Sequence, residues 1–296
     1  MRYCVCAVVL GILLSFAIGC NGNGPSAVIA STQKAVVSDF DRPAPMVGGN
    51  EGEFQLVWAD EFDGDAVDPR KWKFETGQHG WGNAEWQNYT DGENAVVSDG
   101  TLKIIAKKTG EGQKAGDYTS SRLNSLQSFT YGRMEIRAKL PAYKGKGLWP
   151  AIWMLGDSVH GGGWPDCGEL DILEYVSYQP DTIHCAIHTK ANNHRDKTQK
   201  EAHVKLESAE EEFHVYGLQW TDTKLVFFTD DPSNVKMTFE RPKDFTPQNW
   251  PFDKPAFFLL NIAVGGGWGG LKGVEDNKIF PATMEVDYVR VYQKKN

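Results

Sequence analysis

Cysteine is nearly absent from the body of this 296-residue chain. Of five in all, Cys4, Cys6 and Cys20 fall in the first twenty residues, leaving Cys167 and Cys185. A small scaffold stapled by disulfides is therefore excluded. Long amphipathic helical patterns are missing too, and the best candidate, Glu207 to Phe213, is short. Basic residues are in deficit, 31 against 39 acidic ones for a net charge of -8, which argues against a polyanionic partner such as DNA or RNA. With 41% hydrophobic residues and only 14 Pro, the chain is neither disordered nor fibrous. Neither an internal repeat nor a second domain is visible. Aromatic residues are in excess: 10 Trp, 10 Tyr and 15 Phe are more than a core requires. Flat aromatic faces suit sugar rings or nucleobases, and the charge favours sugars.

The one extended apolar run, Val5 to Ile18 after Arg2, is too short to span a bilayer as a mature helix and reads as an export signal. Ala17-Ile18-Gly19-Cys20 resembles a bacterial lipoprotein cleavage box, which would make Cys20 the lipid-bearing first residue of the mature chain. Plain secretion with cleavage nearby is the alternative. The next stretch, rich in Gly, Ser, Ala and Pro, has no periodicity and suits a flexible tether. The expected organisation is a signal over 1–20, a linker over 21–53 and one domain over 54–293. The expected location is the cell envelope through the anchor at Cys20, and otherwise the exterior.

Period two runs through the body. Met134, Ile136, Ala138 and Leu140 alternate with Arg133, Glu135, Arg137 and Lys139, the pattern of a strand with one buried face. Leu102, Ile104 and Ala106 alternate with lysines after an Asp99-Gly100 turn signal. Phe54 to Trp58, Val215 to Trp220, Leu225 to Phe228, Phe257 to Ile262 and Met284 to Tyr292 add further strands. The expected fold is all-β, one sandwich or jelly roll with a curved sheet.

One of these strands carries acids. In Gly168-Glu169-Leu170-Asp171-Ile172-Leu173-Glu174 the carboxylates interleave with apolar residues. A regular strand places Glu169 and Asp171 on one face and Glu174 on the other, because parity flips at an odd separation. A β-bulge near Ile172 or Leu173 restores Glu174 to its partners. Carboxylates so gathered repel, which keeps one protonated near neutral pH while another ionises. Glycoside hydrolysis with retention needs that division, with the two groups about 5 to 5.5 Å apart. A solvated acidic edge or a cation site is the alternative. If Glu169 to Val176 and Ile183 to Thr189 form a hairpin, its register puts Cys185 opposite Glu174 and far from Cys167, so two buried thiols are expected. The same register puts His188 opposite Asp171, where its imidazole could tune a carboxylate; a histidine off the site is the alternative. His184 and His188 are four apart without a helix, and with no third ligand near in sequence zinc is not indicated.

The acid run closely resembles the signature of glycoside hydrolase family 16, in the bulged form of laminarinase-like endo-β-1,3-glucanases. The resemblance extends to Gly82-Asn83-Ala84-Glu85-Trp86, Tyr118-Thr119-Ser120-Ser121-Arg122, Leu148-Trp149-Pro150-Ala151-Ile152-Trp153, Asn261-Ile262-Ala263-Val264-Gly265-Gly266 and Val286-Asp287-Tyr288. It implies a β-jelly-roll sandwich of the concanavalin A-like lectin and glucanase type with a concave substrate cleft. It implies Glu169 as nucleophile, Glu174 as acid/base and Asp171 as the residue that orients Glu169. Trp149, Trp153, Trp164 and Trp268 would contact sugar, with core packing the alternative for each. Trp268, set among glycines that cannot wall it in, is expected to be exposed. Asn83 and Arg122 match positions that hydrogen-bond sugar hydroxyls, against a turn Asn and a surface Arg; Glu85 belongs more loosely to the cleft wall.

The resemblance further implies a structural calcium held by backbone oxygens of Glu61 and Gly100 and the side chain of Asp287, with ordinary surface acids the alternative. No cofactor is expected for catalysis. The expected enzyme is a monomer that cleaves internal β-1,3 bonds of a neutral β-glucan. Mixed β-1,3/1,4-glucan cleavage and transglycosylation are alternatives, and a lectin-like binding module is a further one that has no need of three acids.

Overall fold

The computed structural model describes residues 54–275 and 279–295, so the signal and linker expectations over 1–53 lie outside the described residues. Among the described residues there are seventeen strands and one short helix. In chain order come β1 (Phe54–Asp60), β2 (Trp72–Phe74), β3 (Gln87–Tyr89), β4 (Ala95–Ser98), β5 (Thr101–Lys108), β6 (Tyr118–Ser120), β7 (Arg122–Phe129), β8 (Gly132–Lys139) and β9 (Leu148–Gly156). The helix α1 (Val159–Gly162) precedes β10 (Glu169–Tyr175), β11 (Thr182–His188), β12 (Lys200–Lys205), β13 (His214–Trp220) and β14 (Lys224–Thr229). β15 (Val235–Glu240), β16 (Ala256–Val264) and β17 (Ala282–Lys294) complete the order.

These strands form a β-jelly-roll of two sheets. A seven-stranded sheet runs β12-β11-β10-β9-β16-β7-β2. A ten-stranded sheet runs β15-β14-β13-β8-β17-β5-β6-β3, with β1 on β17 and β4 on β5. Asp99 and Gly100 both take positive φ, 53° and 73°, in the tight turn that joins β4 to β5.

The core lies between the sheets. Met134, Ile136 and Ala138 of β8 meet Leu170, Ile172 and Leu173 of β10 in one buried cluster with Ile152, Leu260 and Ile262. Each such aliphatic side chain contributes about 1.5–3 kcal/mol relative to exposure. β8 departs from the expected half-burial, because Arg133 and Glu135 on its other face are buried as well. They pair at 3.1 Å, and the Arg133 guanidinium lies over the rings of Phe54 and Tyr292, so this central strand is covered on both sides.

The Glu207 to Phe213 segment is turns, not helix. Its Glu210 is drawn inward to accept hydrogen bonds from Tyr175 Oη and the Asp181 amide, which fixes the chain in a non-helical path. Both body cysteines are free and buried, and burial pushes each thiol up to about 12. Cys185 is not opposite Glu174: that place belongs to His184, and Cys185 sits at the bulge with its thiol on the Ile172 carbonyl.

Candidate active site

The outer face of the seven-stranded sheet is built by the same alternation that fills the core. On β9, Ile152 and Met154 point inward, which leaves Trp149, Ala151 and Trp153 to line an outer cleft. On β16, Leu260 and Ile262 point inward, and Asn261 and Ala263 line the cleft. β10 follows directly on Gly168, whose φ of +80° and approach to Pro251, 2.7 Å from where a Cβ would stand, leave room for no other residue.

The bulge falls where parity requires it. Against β9, Asp171 pairs with Trp153, but Leu173 already pairs with Ile152 and Glu174 with Ala151. Glu169, Asp171 and Glu174 consequently line one cavity of about 220 Å³, while Leu170, Ile172 and Leu173 stay in the core. Each acid has its own neighbour. Trp164 Nε1 donates to Glu169 Oε2 at 2.8 Å, and Trp149 Nε1 donates to Glu174 Oε1 at 3.0 Å. His188 Nε2 lies 3.3 Å from Asp171 Oδ2 and 3.7 Å from Glu169 Oε1.

His188 stands opposite Glu169, not Asp171; Asp171 faces Ala186. One residue of that difference comes from the turn, where Tyr175 pairs with Ile183, and one more from the bulge. The imidazole still reaches both carboxylates because it projects between them.

Burial, followed by the charge of Asp171, raises the Glu169 carboxyl to about 8. The pull of His188 and the Trp164 N–H opposes this rise. Glu174 is raised well above the usual carboxylate range by burial and then by the charges of Asp171 and Glu169. Burial raises Asp171 as well. His188 and the Trp149 N–H oppose the rise at Glu174 in the same way, and Arg122 adds to the opposition at Glu169, so the arrangement holds protons at neutral pH and tips ionisation toward Glu169.

The family model for glycosyl hydrolases family 16 matches residues 82–290. The chain belongs to glycosyl hydrolase family 16. It is 44% identical over 290 residues to a beta-glucanase of Rhodothermus marinus, across 95% of this chain and 93% of that one. Its fold matches the solved laminarinase from Rhodothermus marinus with a TM-score of 0.76 at 44% identity, over 82% of this chain and 98% of that one. The laminarinase from Flavobacterium sp. UMI-01 matches with a TM-score of 0.73 at 41% identity, over 81% and 100%. This family 16 member is a glycoside hydrolase.

The remaining cleft residues predicted from sequence come together around those acids in different ways. Arg122 donates from Nε to Glu75, and its guanidinium lies between the rings of Trp81 and Trp153, 4.9 and 4.8 Å from their centroids. Trp153 Nε1 donates to Asn261 Oδ1, and Asn261 in turn donates to Tyr89 Oη. Asn83 Nδ2 donates to Glu85, a buried acid that lines the cavity and is pushed up by burial. Trp164 is close to Arg195 and His194, 4.5 and 4.7 Å from its ring, so it holds Glu169 more than it offers a bare platform. Trp268 is half-buried, walled not by glycines but edge-on by Trp149 and His184. The glycines serve close approach: a Cβ on Gly265 would stand 2.7 Å from the Trp86 ring.

Several residues of this site went unnoticed in the sequence. Trp81 sits between two glycines and could have been singled out by the reasoning applied to Trp268. Glu75, His194 and Arg195 lie outside the strands and carry no periodic signal.

The residues expected to hold calcium share a corner of the other sheet. β17 pairs with β5 up to Val286–Leu102 and with β1 from Val289–Asp60, which brings Glu61 and the Gly100 turn to either side of Asp287. Two carbonyls and a carboxylate fit a hard cation. Arg137 Nη1 donates to Asp287 Oδ2 at 2.6 Å, so an ion would share that carboxylate.

Proposed function

We infer that this family 16 enzyme hydrolyses internal β-1,3-glucosidic bonds of laminarin-type β-glucans with retention, by double displacement. The observation that carries the reading is the bulged strand that turns Glu169, Asp171 and Glu174 into one indole-lined cleft. Glu169 attacks the anomeric carbon as the glycosidic C–O bond breaks, and Glu174 gives its proton to the departing oxygen. A covalent glycosyl-enzyme results. Glu174, now a carboxylate, takes a proton from water, whose oxygen attacks the anomeric carbon and releases Glu169. Asp171 and His188 orient Glu169 and share the charge beside it. Trp149, Trp153 and Trp268 offer faces and edges to sugar rings, Trp164 positions Glu169, and Asn83 and Arg122 bond hydroxyls. The laminarinase names of the solved relatives support this substrate.

Residues 54–293 are taken as the catalytic unit. Residues 1–20 are taken as an export signal with a lipid anchor at Cys20, and 21–53 as the tether. The enzyme acts as a monomer at the cell envelope on a neutral glucan. A structural calcium at Glu61, Gly100 and Asp287 supports the fold and takes no part in the reaction.

Reducing-sugar release from laminarin, barley β-glucan, agarose and carrageenan tests the substrate. Laminarin is expected to be cut fastest, and a faster rate on agarose or carrageenan would sink the assignment. Glu169→Gln is expected to bind laminarin without turning it over; appreciable turnover would remove Glu169 as nucleophile.

A further inference from the structure

Four of the chain's seven histidines, His184, His188, His194 and His203, line one groove of about 500 Å³ over β10, β11 and β12, together with Glu169 and Glu201. Imidazoles gathered with carboxylates are the donor set of borderline divalent ions such as zinc and copper. Spacing along the chain offers no third ligand for His184 and His188, but folding of the hairpin brings two acids to His188. Asp171 Oδ2 and Glu169 Oε1 lie 3.3 and 3.7 Å from His188 Nε2. One donor atom from each of the three falls within 4.8 Å of the others.

Asp171 supplies a second, independent observation. It is 1% exposed, and its Oδ2 has no hydrogen-bond partner although it faces the imidazole. A buried carboxyl oxygen without a hydrogen bond is costly, and a cation that displaced the triad's protons would satisfy it while offsetting the repulsion between the two carboxylates. The open cleft beside the triad leaves space for the water ligands that complete a coordination shell.

We propose that a divalent transition ion, with zinc as the representative, binds Glu169, Asp171 and His188 and reversibly inhibits the enzyme. Coordination ties up the Glu169 lone pair that would attack the anomeric carbon, and the ion stands where the sugar must enter. Hard ions are disfavoured, because magnesium and calcium ask for an oxygen-only shell and the triad offers a nitrogen. The inhibitory consequence rests on the reading of Glu169 as nucleophile; the binding does not. A rival location exists at the sheet edge, where His203 Nε2 is 3.4 Å from Glu201 and its ring faces His184 at 4.6 Å.

The test is calorimetric titration of the calcium-loaded enzyme, freed of transition metals, with zinc chloride in a non-coordinating buffer containing calcium, with laminarin hydrolysis followed in parallel. One ion per chain is expected, with activity lost over the same zinc range and restored by EDTA, and with no effect of magnesium. Glu169→Gln and Asp171→Asn are each expected to bind zinc at least about tenfold more weakly, since even an outer partner of a metal site costs that much. His203→Ala is expected to bind zinc like the parent. Failure to bind at millimolar zinc would overturn the proposal. So would binding that survives in Glu169→Gln and disappears in His203→Ala. Calorimetry needs no turnover, so hydrolysis by Glu169→Gln would end the functional reading while leaving the zinc measurement intact.

Discussion

Trp149 donates its indole N–H to Glu174 at 3.0 Å from the neighbouring strand, so the ring that walls the cleft also holds the acid. A donor favours the carboxylate form, which Glu174 approaches as it gives up its proton to the leaving oxygen. Trp149→Phe keeps the flat face and removes the bond, worth about 1.5–3 kcal/mol for a charged acceptor. The expected result on laminarin is a kcat/KM about 10–100-fold lower, with the alkaline limb of the pH profile moved upward. An unmoved limb would show that the indole acts on sugar alone.

Stability should fall as pH rises across the range where the raised carboxyls titrate. An unfolded Glu169 loses its proton near the ordinary value of 4.5, whereas the folded one keeps it up to about 8. Between those values the native state binds more protons than the unfolded chain, so unfolding becomes easier with each step upward. Below 4.5 both states are protonated and the effect vanishes. Glu169→Gln removes the share of this dependence that Glu169 carries, leaving that of Asp171 and Glu174. The melting temperature of that variant should exceed the parent's by more at pH 8 than at pH 5, and equal gaps at both would contradict the burial argument.

Much of this was legible because alternation and parity are strong constraints. The β8 pattern locates a central strand, and the odd separation of Asp171 from Glu174 demands a bulge if the acids are to meet. The register of His188 was not legible, since a turn one residue longer and a bulge each displace it and leave no mark in composition. Asn261 is visible as the one polar residue of an otherwise apolar strand. His194 and Arg195 are brought to Trp164 by a loop, where side-chain direction follows no period. Trp268 shows the limit of composition: its glycines suggest exposure, whereas Trp149 and His184 from distant segments wall it in.

Arg122 is held as a planar group, between Trp81 and Trp153 and against Glu75. A lysine keeps the charge that favours Glu169 ionisation but loses the stacking plane and the fork of donors. Contacts of this kind are worth about 0.5–2 kcal/mol. Arg122→Lys should therefore raise KM for laminarin several-fold while kcat stays near the parent's. A fall in kcat with KM unchanged would place Arg122 in the chemical step instead.

The calcium corner gives a stability measurement independent of the cleft. An ion present at 100 times its dissociation constant stabilises the folded state by about 2.7 kcal/mol, and each kcal/mol moves the melting temperature of a domain this size by about 2–4 °C. EDTA should therefore lower the melting temperature by about 5–10 °C, with added calcium restoring it and zinc not doing so. In Asp287→Asn the carboxylate is gone, and with it the response to EDTA, although the same change also weakens the contact with Arg137 and lowers the starting value. That double effect separates the two roles of Asp287: a variant that melts lower yet still responds to chelation would leave the Arg137 pair as its whole contribution and place calcium elsewhere.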